Sequence, residues 1–129
     1  MKERPSLFLL AIFVLLFSCG SVCAEDQKLP QLVDLGADRC VPCRMMKPVL
    51  DELSKEYEGR LDVIFIDVWK NKDAGVIYGI RVIPTQIFFS PEGKELFRHE
   101  GYFSKADILK KWEELGFPLT PGQKPAKEP

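Results

Sequence analysis

The chain has 129 residues, 46% of them hydrophobic, with 18 Lys and Arg against 19 Asp and Glu and a formal net charge of −1. That length fits one small domain. Charges of both signs are interspersed, so no basic stripe is available for nucleic acid, and the balance reads as ordinary solubility.

The chain opens Met1-Lys2-Glu3-Arg4, continues as an unbroken apolar run from Leu7 to Phe17, and turns to small residues from Ser18 to Ala24. These are the parts of a secretory signal peptide, and the run is far shorter than the roughly 20 apolar residues that span a bilayer. Residues 1–24 are expected to be a leader cleaved after Ala24, which places the rest in the periplasm or another extracytoplasmic space. A second route is open. Leu16-Phe17-Ser18-Cys19 resembles a bacterial lipobox, and a lipid anchor at Cys19 would hold the protein on the membrane as a lipoprotein. That route leaves Cys23 unpaired, a liability in an oxidising compartment.

Residues 25–117 are expected to form the domain. Leu32–Leu35, closed by Gly36, is a short apolar run and reads as a buried strand. Met46, Val49, Leu50, Leu53 and Tyr57 then fall at helical spacing, with charged residues between them. Pro42 suits the first turn of that helix, Pro48 is expected to kink it, and Gly59 ends it. Leu61–Asp67 is a second strand, nearly all apolar, of the kind covered on both faces. Asn71 is the expected cap of a short helix ending near Gly79. Thr85–Phe89 and Glu95–Glu100 flank Ser90-Pro91-Glu92-Gly93-Lys94, which makes them a hairpin. Ser104 caps a last helix whose Ile108, Leu109, Trp112 and Leu115 face inward. Residues 118–129 lack apolar periodicity and read as a disordered tail. The fold class is α/β: a right-handed crossover makes the first two strands parallel neighbours, and the hairpin completes the same sheet.

Cys40-Val41-Pro42-Cys43 falls at the carboxyl end of the first strand and the start of the first helix, where open α/β sheets place their chemistry. Free backbone N–H groups and the helix dipole there favour a thiolate on Cys40, and in such motifs the pKa falls from about 8.5 to between about 3.5 and 7.5. Cys40 is the expected nucleophile, and Cys43, one turn further in, the thiol that attacks a mixed disulfide on it. Flanking Arg39 and Arg44 add positive charge. Two plainer readings stand beside this. A structural metal needs four ligands, but His99 is the only further soft ligand once the leader is gone; a stapling disulfide across so short a loop restrains the unfolded chain little. Asp34, in the middle of the first strand, is either buried, with its pKa raised so that it exchanges protons with Cys43, or wet at a sheet edge.

Val33-Asp34-Leu35, Cys40-Val41-Pro42-Cys43 with Arg44 and Pro48, and Tyr78-Gly79-Ile80-Arg81-Val82-Ile83-Pro84-Thr85 together resemble the thioredoxin superfamily, and in particular its exported bacterial members. The likeness runs from about Leu32 to Leu115. It implies a compact thioredoxin-like fold with a four-stranded mixed sheet in the order second, first, third, fourth, flanked by helices. It also implies an exported thiol-disulfide oxidoreductase, more a reductase than an oxidase, acting on the cysteines or disulfides of protein substrates. By the resemblance Cys40 attacks, Cys43 resolves and Asp34 is the buried acid; Pro84 follows a cis bond beside the disulfide, and the Ile83 backbone pairs with a substrate strand, Val41 and Pro42 lining the same surface. No cofactor is expected, and an exported reductase implies a membrane redox partner. The chain departs from the family pattern at Arg39 and Gly36, where tryptophans are usual, and at Val63, the position expected for the acid's lysine partner. A redox-inert peptide-binding module and a metal carrier using both thiolates are the alternative functions.

Overall fold

The computed structural model describes residues 28–121; the expected leader with Cys19, Cys23 and the cleavage site, and the end of the expected tail, lie outside them. Seven elements follow in order: β1 Gln31–Gly36, α1 Val41–Glu56, β2 Asp62–Asp67, α2 Ala74–Ile77, β3 Thr85–Phe89, β4 Glu95–Glu100 and α3 Lys105–Glu114. The four strands form one sheet in the order β2-β1-β3-β4. β1 runs parallel to β2 and antiparallel to β3, and β3 runs antiparallel to β4. This is the thioredoxin-like topology expected from the sequence.

Alternation along β1 sends Leu32 and Asp34 to one face, Val33 and Leu35 to the other. On the first face α1 and α3 bury Leu32, Met46, Leu50, Leu53, Phe88, Ile108 and Trp112 in one cluster. On the second, Val33, Leu35 and Ile87 pack under Ala74, with Tyr78 and Ile80 of the following loop completing the cover. Leu119 also packs against the first cluster, and Arg60 Nη1 donates to Thr120 O at 3.1 Å. Residues 119 and 120 at the start of the expected tail thus contact the domain.

α1 continues through Pro48 without a stop, as expected. Two other expectations of local structure change. Asn71 does not cap α2: its Nδ2 donates to Asp67 O at 3.1 Å, closing the turn after β2, and the helix begins after Asp73. The β2 residue level with Asp34 is Phe65, whereas Val63 pairs with Leu32. Ser104 does cap α3, its Oγ accepting from Asp107 N at 3.2 Å.

Candidate active site

Cys40 is the N-cap residue of α1, in extended backbone, and its Sγ accepts from Cys43 N at 3.3 Å. The two sulfurs are joined as a disulfide. The helix start thus directs an unpaired N–H at the sulfur of the first cysteine, which stabilises negative charge there when the bond opens. Cys43 begins the inward stripe of α1 and is 3% exposed, while Cys40 is half-buried at the surface end. Of the two sulfurs, that of Cys40 is therefore the more open to a group from outside.

Ile83 and Pro84 arrive from the loop before β3. The Ile83–Pro84 bond is cis, and Ile83 O lies 4.0 Å from Cys40 Sγ. Pro84 is buried and Ile83 half-buried, whereas Val41 and Val82 are exposed apolar side chains and Pro42 is exposed beside them. The structure therefore brings Cys40, Val41, Pro42, Ile83 and Pro84 to one end of the sheet.

Asp34 is completely buried, which removes the reading of a wet edge carboxylate. It sits one pleat below Gly36 on the same face, and a Cβ built on Gly36 would lie 3.2 Å from Cys43 Cβ and 3.4 Å from Cys43 Sγ. Asp34 is thus beneath the Cys43 turn of α1. Its neighbour in β2 is Phe65, so no cation faces it across that edge. Its partner comes from β3 instead: Gln86 Nε2 donates to Asp34 Oδ1 at 2.7 Å. Burial pushes the Asp34 carboxyl up to about 6, the Gln86 bond opposing that rise.

Sequence reasoning missed two residues here. Gln86 is a fully buried amide, and an amide inside the strand Thr85-Gln-Ile-Phe-Phe89 was the available signal. Asp67, at the end of β2, accepts from the backbone of Asp38, Trp69 and Lys70 and so ties the loop before Cys40 to the next strand. Burial would raise its carboxyl, but those three N–H groups and the Lys70 charge outweigh burial and hold it below the usual carboxylate range. An apolar strand ending in Asp before a turn was the visible signal, since Asp side chains bond backbone two or three residues on. A cleft of about 290 Å³ opens beside Cys43 between Phe65, Leu50 and Lys47.

A family model described as Thioredoxin matches residues 21–114. Thioredoxin of Synechocystis sp. is 47% identical over 64 residues, 50% of this chain and 60% of the relative. Thioredoxin of Pseudomonas aeruginosa is 39% identical over 79 residues, 61% of this chain and 72% of the relative. Among solved structures, chloroplastic thioredoxin z superposes with a TM-score of 0.63 at 27% identity, covering 70% of this chain and 80% of its own. The chain spans about 60% of the length of the Synechocystis protein and of a thioredoxin from Nostoc sp.. Because the matched span takes in every strand, all three helices and the cysteine pair at the start of α1, the chain belongs to the thioredoxin family.

Proposed function

We propose that this chain is an exported thiol-disulfide oxidoreductase that reduces disulfides in protein substrates through Cys40 and Cys43. The observation that carries the reading is the disulfide at the α1 N-cap, one sulfur half-exposed beside the Ile83 backbone and the other buried. In the reduced protein the Cys40 thiolate attacks a substrate disulfide, forming a mixed disulfide and releasing one substrate thiolate, which takes a proton from water. Cys43 gives its proton to the Asp34 carboxylate, attacks Cys40 Sγ and expels the second substrate thiolate. Two electrons pass to the substrate, and Cys40–Cys43 is left oxidised. The main chain at Ile83, between exposed Val82 and buried Pro84, offers a substrate strand backbone partners, which suits many sequences.

Export rests on the Met1–Ala24 pattern, and a membrane partner that supplies electrons follows from placing a reductase outside the cytoplasm. A Cys43→Ser variant is expected to accumulate mixed disulfides with cysteine-containing proteins, and Cys40→Ser to accumulate none. Equilibration of the pair with glutathione fixes direction: a potential near the roughly −270 mV of thioredoxin supports a reductase, and one near about −180 mV or above overturns that assignment. A pair that does not cycle would leave the peptide-binding alternative.

A further inference from the structure

We infer that Gln86 is a positioning residue that holds Asp34 in both of its protonation states, its amide N–H binding the carboxylate and its amide oxygen binding the acid. The inference rests on the dithiol reading above. Among the described residues, three buried side-chain atoms lack a hydrogen-bond partner, and two of them belong to this one pair: Asp34 Oδ2 and Gln86 Oε1. Both are acceptors, so they cannot satisfy each other while Asp34 is ionised. A proton on Asp34 Oδ2 supplies the missing hydrogen. The acid then donates Oδ2–H to Gln86 Oε1 while Nε2 continues to donate to Oδ1, and one proton satisfies both orphan oxygens.

The backbone sets this arrangement up. Asp34 and Gln86 are directly opposite in the antiparallel β1/β3 ladder, so their side chains leave the sheet on the same face, and both are 0% exposed. An amide there has no packing advantage over the leucine or methionine that would fill the same space, and an unpaired one is costly. Its presence is explained by Asp34. A lysine in that role would favour only the charged form. An amide serves both forms, as a group that takes a proton from Cys43 and later returns it requires.

The other groups around Asp34 leave this role to Gln86. On the α1 side Cys43 packs over Gly36, one pleat from Asp34 on the same face, and the charged residues Asp38, Arg44, Lys47 and Asp51 line the cleft beside Cys43. β2 presents Phe65, and Asp67 at its end is turned to backbone N–H groups. β4 brings His99 opposite Gln86, but its ring stacks on Phe103 at 4.0 Å and its Nε2 pairs with Tyr102 O. Burial raises the Asp34 carboxyl, and the Gln86 bond opposes that rise.

The test compares the wild-type chain with Gln86→Met and Gln86→Lys. Asp34 is titrated in the oxidised protein by carbon NMR of labelled aspartate. The reduced protein is then mixed with an aromatic disulfide whose thiolate is coloured, and release of the second thiolate, which reports attack by Cys43, is followed against pH. Gln86→Met withdraws the bonds to both forms, so it is expected to move the Asp34 midpoint and the acidic limb of the rate profile by less than about one pH unit while lowering the plateau rate of second-thiolate release about tenfold. Gln86→Lys, which keeps a donor and loses the acceptor, is expected to lower both the midpoint and the limb. Should either fail to fold, Gln86→Asn, which withdraws both amide functions by one methylene, is expected to lower the plateau rate by less than Gln86→Met does, with the midpoint little moved. A Gln86→Met midpoint raised by about two units or more, which would mean that the amide serves only the carboxylate, overturns the inference, as does an unchanged midpoint in Gln86→Lys or an Asp34→Asn profile identical to wild type. If the wild type releases no second thiolate at any pH, the oxidoreductase reading falls, while the NMR midpoints still decide whether Gln86 controls Asp34.

Discussion

Burying Asp34 without a cationic neighbour couples the stability of the whole fold to pH. Its carboxyl is raised from 3.8 to about 6 by burial, so between those values the folded chain keeps a proton that the unfolded chain releases. Stability is therefore higher below this window and falls as pH rises through it, by about 3 kcal/mol in all. Asp34→Asn removes that titration, and its amide can donate to Gln86 Oε1 much as the protonated acid does. Urea unfolding is expected to show the variant more stable than wild type at pH 8, with an advantage that shrinks by up to about 3 kcal/mol on lowering the pH to 3.5. An advantage that does not change with pH would mean that Asp34 titrates normally. Gly36 makes the complementary case for space. Its missing side chain leaves room for Phe65, whose Cε2 would lie 3.0 Å from an added Cβ, with Cys43 Cβ at 3.2 Å. Gly36→Ala is expected to cost about 1–3 kcal/mol by overpacking. Phe65→Leu in the same background should recover part of that cost and not all, because the half-exposed ring can yield while the Cys43 backbone is fixed in α1.

Among the elements, α3 depends most visibly on its cap. Ser104 accepts from Asp107 N and donates to Asp107 Oδ2 at 2.5 Å, closing the first turn of a helix of only ten residues that carries Ile108 and Trp112 into the core. Ser104→Ala is expected to lower the unfolding free energy by about 1 kcal/mol, read from the denaturant midpoint at constant slope. That cap was legible in the sequence, as were the helical stripes of α1 and α3 and the β3–β4 hairpin, because each is set by residues close together in the chain. The position of the cysteine pair at a strand end and helix start was legible for the same reason. Register across the sheet was not. β2 is apolar at every position from Val63 to Ile66, so its pattern does not distinguish Val63 from Phe65 as the neighbour of Asp34, and only the folded ladder does so. Gln86 stood out as an amide inside a strand, but its partner lies 52 residues away, and no local rule connects them.

At the scale of the molecule the sheet is covered unequally, and this decides where truncation is costly. The face toward α1 and α3 holds the large aromatic cluster, whereas the opposite face is covered by the single turn of α2 and its loop, with Val76 and Ile77 left exposed. Trp112 is the centre of the thick face: its ring lies 4.7 Å from Phe88 and 6.0 Å from Phe117, and the side chain is 0% exposed. Trp112→Ala removes that volume between α3 and the sheet and is expected to cost about 3–5 kcal/mol. A domain of this size has only about 5–15 kcal/mol in total, so the variant should unfold at markedly lower urea or populate the unfolded state without it. Trp112→Phe separates the two contributions of the indole. It keeps an aromatic ring against Phe88 and deletes Nε1, a buried donor with no partner among the described residues. Losing an orphan donor offsets part of the lost contact area, so its cost should be well under half that of alanine. The other tryptophan, Trp69, is half-exposed beside Asp67 and touches neither cluster. Its fluorescence therefore remains available in both variants, alongside far-ultraviolet circular dichroism, to follow unfolding. Equal costs for Phe and Ala would place the stabilisation in the indole N–H after all and would require a partner for it.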